Sequence, residues 1–389
     1  MSSKGRVVVW GQMFRSPFGG MIWQVLHYLL PLRELGYDVW YVEDSDEYFF
    51  HPETYNPVWE IEQNVERAVR YLRAFGFEDR WFVRAPTRFD VCYGLPNYDD
   101  LKALYASTDI AINLCGSQEP REEHRACANL IYLETDPVRK QVEVAKGEEH
   151  AIAELDSYDH LCTYGVNIGR DDCLIPLERY RWVPTVPPVV TSLWATADAP
   201  SRPAFTSVAN WKHGGKDVEW NSHRWRWSKH WEFMKFVGLP DKVTPAMELA
   251  IGAIDDTDRQ MLRDHGWGLS ASGRLADPYK YRDFIQASYG EFTAAKEQYV
   301  APRSGWFSDR SVCYLAAGRP VVTQGTGFED WIDTGNGLFG YYDVDGAAEA
   351  IAAIAADYQH HSAAATGLAR EYFEARTVLQ RLLTDLGLQ

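Results

Sequence analysis

Cysteine is scarce in this chain: six in 389 residues, Cys92, Cys115, Cys127, Cys162, Cys173 and Cys313. No two stand in CxxC spacing and no histidines follow at zinc-finger distances. Neither a zinc site nor a disulfide framework is expected, and the thiols read as reduced and mostly buried. Basic residues are outnumbered, 39 Lys and Arg against 55 Asp and Glu, for a net charge of −16. The broad positive footprint that a nucleic-acid polymer or an anionic membrane surface needs is missing, so neither partner is expected. A small anionic ligand stays compatible, because a few local cations suffice for it. No run of about 18 apolar residues exists, which excludes a membrane-spanning helix. The opening MSSKGRVVVWGQ lacks an apolar core with a small-residue cleavage site, so a cytoplasmic location is expected. Internal repeats and low-complexity tracts are absent as well.

What is present is ordinary globular composition, 46% hydrophobic and 24% charged. The length suits two domains of roughly 150–200 residues each. Residues 7–10 read as a short buried parallel strand, followed by a loop with Gly19-Gly20. Residues 21–35 carry apolar side chains at helical spacing (Ile22, Val25, Leu26, Leu29, Leu32) and stop at Gly36. Residues 38–42 are the next strand, which completes a parallel strand–loop–helix–strand unit. Further strands are expected at 110–114, 130–133 and 158–164. The stretch 183–203 holds five prolines and reads as a linker, because proline stiffens the chain and removes donors. A second α/β set follows, with strands at 204–208, 247–251, 267–270 and 319–323 and helices at 228–236, 255–265, 278–288 and 308–317. Helical stretches at 347–358 and 363–386 close the chain. The expected boundaries are 1–190 for a Rossmann-like acceptor-binding domain and 191–370 for a Rossmann-like nucleotide-sugar-binding domain. Residues 371–389 form a terminal helix that packs back on the first domain.

SGWFSDRSVCYLAAGRPVVTQGTGFEDW, residues 304–331, is the most informative stretch. Ser308 can cap a helix whose first turn holds Asp309, Arg310 and Ser311. The free N–H groups of such an end, with about half a positive charge, favour phosphate. Arg310 adds a permanent forked cation. After the strand, the turn of Thr326, Gly327 and Phe328 lets backbone amides approach a ligand.

The helix–AAGRPVV–turn pattern resembles the donor half of GT-B fold glycosyltransferases, and WFSDRSVCYLAAGRPVVTQGTGF resembles a bacterial group within the glycosyl transferases group 1 type. FTSVANWKH (205–213), RWSKHWEFMKF (226–236), SYGEFTAAKEQYV (288–300), LETDP (133–137) and YGVNIG (164–169) look like the same group. The resemblance implies an α/β fold of GT-B type, two Rossmann-like domains facing each other across a cleft. It also implies hexose transfer from a UDP-, dTDP- or GDP-sugar, with no metal or other cofactor. Many retaining members carry two glutamates with seven residues between them, and here those positions hold Gly305 and Cys313. The second usually binds the ribose, so ribose recognition must come from elsewhere. In inverting plant-type relatives an acidic residue and Gln after this strand hold sugar hydroxyls, and counting places Glu329 and Asp330 there. The resemblance further points to Lys229 against the diphosphate and to Gly19 and Gly20 for close backbone approach. Asn210 and Trp211 follow the second domain's first strand, where loops line the cleft.

A general base for an inverting transfer would be a carboxylate at a strand end of the first domain: Glu43, Asp44 or Asp136. His27 lies inside the first helix and reads as packed. The expected partners are a nucleotide sugar and a small-molecule (natural product or nucleoside) or glycan acceptor, without a nucleic-acid polymer, and a homodimer is left open. The alternatives are a sugar-nucleotide epimerase or phosphorylase of the same fold, and a non-catalytic sugar-nucleotide-binding module.

Overall fold

The computed structural model describes residues 3–52, 54 and 56–389. Two sheets, one mostly and one wholly parallel, account for the architecture. The first is built from β1 (Arg6–Trp10), β2 (Asp38–Glu43), β3 (Trp81–Ala85), β4 (Arg88–Tyr93), β5 (Ile110–Leu114), β6 (Leu130–Glu134), β7 (His160–Thr163) and β8 (Trp182–Pro184). Their order is β8-β7-β6-β5-β1-β2-β3-β4, and β3–β4 is the antiparallel pair. Central strands such as VVVW and LIYL are continuous apolar runs because helices cover both faces, and Val7, Val8, Val9 and Trp10 are fully buried. The second sheet comprises β9 (Arg202–Asn210), β10 (Ala246–Gly252), β11 (Gly268–Ala271), β12 (Ser288–Thr293), β13 (Val321–Gln324) and β14 (Leu338–Tyr341). It runs β11-β10-β9-β12-β13-β14, parallel throughout.

Four helices place the site. α1 (Gly19–Glu34) follows β1 and runs through Pro31. α2 (Pro278–Ala287) starts at the Asp277 cap, and α3 (Asp309–Ala316) starts at Ser308. α4 (Ala375–Asp385) buries Leu379, Leu382 and Leu383 and lies against α1. Among the described residues no helix is long and apolar enough to cross a membrane.

The Pro-rich stretch runs from the end of β8 at Pro184 to the start of β9 at Arg202, and it is packed against the protein along its way. Val189 bridges to Glu374 and a helical turn covers Thr191–Trp194, with Val189 and Trp194 fully buried. Apolar side chains interleave with the prolines, so the segment packs as it crosses. The same bridge interrupts the helix expected over 363–386, which divides at Phe373 and Glu374. The helix expected over 228–236 is short. Ser228 bonds the Trp211 carbonyl and the His213 N–H, and helix proper covers only His230–Phe233.

The two sheets meet directly. Trp23 Nε1 donates to the Pro278 carbonyl at 2.7 Å, and Asp277 accepts from Arg70 at 2.9 Å and from Tyr71 at 2.5 Å. On the opposite side, Asn167 Nδ2 donates to the Gly327 carbonyl at 2.9 Å and the Arg303 carbonyl at 3.3 Å.

Candidate active site

In a parallel sheet, ligands collect beyond the strand carboxyl ends where strand order reverses. That point falls between β1 and β5 in the first sheet and between β9 and β12 in the second. The two reversal points face each other. Between them lies a cleft of about 310 Å³, lined by Gly19, Gly20 and Gln24 of α1, Asn210 at the end of β9, and Ser308, Asp309 and Arg310 at the start of α3. Its size is that of a small-ligand site.

Two helix N-termini open into this cleft. Phe18 gives α1 no side-chain cap, and the first intrahelical bond is Ile22 N–H to the Phe18 carbonyl at 3.0 Å. The N–H groups of Gly19, Gly20 and Met21 therefore have no partner within the helix, and no acidic residue sits in that turn. In α3, Ser308 Oγ accepts from Arg310 N–H at 3.3 Å. Both ends offer the partial positive charge that suits an anion.

The cations are distributed differently from the sequence expectation. Arg310 spends its guanidinium on the protein: Nε on Glu291, Nη1 on the Val208 carbonyl and Nη2 on Thr293, the last two at 2.8 Å. With Glu291 fully buried beside it, Arg310 is a neutralised strut and not a free phosphate fork. Lys229 is the reverse. It is half-buried, and among the described residues its ammonium has no hydrogen bond or ion pair. Burial, then Arg310, then Lys296 drive its pKa well below the usual lysine range. A lysine amine held without a partner, by burial and neighbouring cations, takes up its proton more readily when an anion arrives beside it.

Two carboxylates face this region. Asp309 accepts from Gln24 Nε2 at 3.0 Å. Burial, reinforced by the charge of Asp136, pushes its pKa up to about 7. Asp136, just past β6, bonds Lys296 Nζ at 2.7 Å across the cleft and also accepts from Tyr299. Burial opposes its ionisation, but Lys296 and Tyr299 hold the carboxyl below its ordinary value. Two neighbouring acids are thus pushed apart, one ionised and one titrating near neutrality.

Other expected site residues are engaged elsewhere. Glu43 is buried and accepts from Phe14 N–H at 2.5 Å, Arg15 N–H at 2.8 Å and Tyr41, so it clamps the loop leading to α1. Asp44 is wholly buried among Arg84, Arg121, His124, Tyr98 and Tyr105, and cannot meet an acceptor. Its atoms come within 4.8 Å of Glu123 and His124, a metal-like grouping in which two guanidinium groups already supply the positive charge. Trp211 is fully buried with Nε1 on Asp258 at 2.8 Å, so it packs and does not stack on a ligand. The Ser311 side chain is fully buried, leaving only its backbone for the site.

The turn after β13 serves the joint between the sheets. Thr326 bonds the Trp306 carbonyl at 2.6 Å, Phe328 packs on Phe307, and Gly327 takes Asn167. Asp330 accepts from Arg303 at 3.1 Å and Asn167 at 3.2 Å. Glu329 accepts from Gly327 N–H at 3.1 Å and Tyr342 at 2.9 Å. Gly19 also differs from expectation: a Cβ there would meet the Leu275 carbonyl at 2.5 Å and Tyr281 Cβ at 2.7 Å. It permits approach of the second sheet's segment. His27 lines the cleft but accepts from Trp194 Nε1 at 2.9 Å, and burial pushes its pKa down to about 3. It stays neutral and packed.

Gln24 and Tyr281 line the cleft, Lys296 bonds Asp136, and the sequence singles out none of the three. Gln24 carried a signal, a polar residue on an otherwise apolar helix. The other two sit in segments whose pairing across the cleft only the fold reveals.

No protein-family model matches the chain, and no curated protein does. The architecture recurs in solved structures. Anabaena HepE in complex with UDP-glucose aligns over 99% of this chain and 100% of that chain, with TM-score 0.60 and 11% identity. An alpha-glucosyltransferase in complex with UDP-glucose and DNA containing an abasic site aligns over 99% and 100%, with TM-score 0.59 and 10% identity. The fold is therefore GT-B. The same comparison corrects the expectation that excluded a nucleic-acid polymer. Structures of this fold hold DNA, including a 13-mer containing a HMU base. Net charge sums the whole surface and does not describe one cleft.

Proposed function

We propose that this chain transfers a hexose from a nucleoside diphosphate sugar to an acceptor hydroxyl. The observation that carries the reading is the convergence of two helix N-termini, at Gly19–Met21 and Ser308–Arg310, with the unpaired Lys229 beside them. A diphosphate leaving group needs that kind of stabilisation in place of an acid. Titration calorimetry with UDP-, GDP- and dTDP-sugars is the test, followed by nucleoside diphosphate release with an acceptor panel. The panel includes duplex DNA with a hydroxymethylated base, because DNA complexes exist for this fold. Failure of every sugar nucleotide to bind sinks the reading.

In this reading Asp136, kept ionised, takes the acceptor proton. Asp309 sets the pH response of binding. Below pH 7 it is neutral beside the incoming phosphates, and above pH 7 it is charged and repels them, since its pKa stands at about 7. Donor affinity is expected to fall by up to about fourfold between pH 6 and 7.5. Asp309→Asn should flatten that slope, and an unchanged slope in this variant would remove Asp309 from the account.

A further inference from the structure

The loop after β6 carries Asp136, and the other half of the chain holds it at three points. Trp306 Nε1 donates to the Thr135 carbonyl at 2.8 Å. Lys296 Nζ donates to Asp136 Oδ1 at 2.7 Å, and the Tyr299 hydroxyl donates to the same oxygen. Val138 is fully buried in one apolar cluster with Val218 and Trp225, from a hairpin that follows β9. Its φ of 100° is one that a β-branched residue avoids, and it persists only where the surroundings impose it. The two donors are themselves fixed. Lys296 Nζ also donates to the Tyr299 hydroxyl at 2.9 Å and lies 3.1 Å from the centre of the Trp227 ring. Tyr299 is fully buried and stacks on Trp306.

Both bonds fall on Oδ1. Among the described residues no hydrogen bond falls on Oδ2, and the Asp136 side chain keeps 44% of its surface open. Donors on one oxygen fix the carboxylate plane and leave the lone pairs of the other for an incoming hydroxyl. The charge of Asp136 acts on both Asp309 and Lys229, which sets it beside the start of α3.

We infer that Lys296 and Tyr299 are positioning residues that turn the Asp136 carboxylate so that Oδ2 meets the acceptor hydroxyl, an assignment that rests on the reading of Asp136 as the base. The hydroxyl proton passes to Oδ2 while its oxygen bonds the anomeric carbon and the bond to the diphosphate breaks. Lys216, Lys229 and His213 also act on this carboxyl from the second half of the chain. From elsewhere Cys115 faces it, held neutral, with Glu134 and Asp309, which titrate at about 8 and about 7. The acid limb of turnover is therefore that of Asp136.

The test is the pH profile of kcat for wild type, Tyr299→Phe, Lys296→Met and Asp136→Asn, with the sugar nucleotide and acceptor found by the panel above, and calorimetry of inorganic pyrophosphate. Tyr299→Phe should lower kcat about tenfold and Lys296→Met about 10²-fold. In both, kcat should begin to fall on acidification at a higher pH than in wild type, because each lost donor favours the ionised carboxylate. Tyr299→Phe changes no charge and should keep donor KM and pyrophosphate affinity within about twofold, which also shows that the site is folded. An unmoved acid limb in both variants, or a loss of pyrophosphate affinity in Tyr299→Phe as large as its loss of kcat, overturns the positioning role and leaves Asp136 as the base. Wild-type kcat in Asp136→Asn overturns the base reading and this inference with it. If no sugar nucleotide binds or none turns over, the transfer reading and both assignments fall together.

Discussion

Lys229→Met is expected to lower kcat/KM by about 10²–10³-fold while raising the melting temperature by about 2–4 °C. The two effects have one cause. In the free protein burial and repulsion by Arg310 and Lys296 disfavour the charged form of Lys229, and attraction from Glu291 and Asp136 only partly offsets them. Methionine fills similar volume without that cost, so the empty protein gains stability. The same charge is what a departing diphosphate needs, so the transition state loses its cation. Pyrophosphate affinity should fall in parallel, because that ligand carries only the charge. A solvated surface lysine would move neither quantity. Steady-state kinetics and thermal unfolding of the same preparation check both, and an unchanged kcat/KM would remove Lys229 from the site.

Gly19→Val is expected to reduce kcat/KM about 10²-fold for a different reason. A Cβ at Gly19 would stand 2.5 Å from the Leu275 carbonyl and 3.2 Å from that of Asp277. Backbone atoms at those distances cannot yield cheaply, so the two sheets must separate. Separation takes α3 away from α1 and breaks the Gln24–Asp309 contact. The individual sheets have no reason to unfold. The expected signature is retained helix content in circular dichroism, a larger radius of gyration in small-angle scattering, and lost turnover. Unchanged activity and dimensions would show that the approach seen at Gly19 is not needed.

Much of this was readable in the chain itself, for physical reasons that vary by element. The central strands announce themselves because a strand covered on both faces is continuously apolar, as in VVVW and LIYL. Ser308 is legible as a cap because its hydroxyl meets a need four residues long and local. β3 and β4 are not, because the buried Arg84 interrupts the apolar run and is satisfied by Asp44 and Asp46 from a distant loop. Arg310 shows the same limit at the site. Its residue type says cation, but Glu291, 19 positions away in sequence, decides whether the charge is free. Trp211 is ambiguous in the sequence because an aromatic beside a strand end reads alike whether it faces a cleft or a core, and its burial with Nε1 on Asp258 decides for the core. The Gly327 turn fits both a ligand and a protein joint, and Asn167 from the other half of the chain settles which. Positions fixed by their neighbours in sequence were legible, and positions fixed by partners across the cleft were not.

The most direct measurement is a crystal structure with a nucleoside diphosphate sugar bound. The account predicts the diphosphate between the start of α1 and the start of α3, its oxygens about 2.7–3.1 Å from the backbone N–H groups of Gly20 and Asp309 and from Lys229 Nζ. A nucleotide seated outside this cleft, or one whose phosphates avoid both helix ends and Lys229, would contradict it.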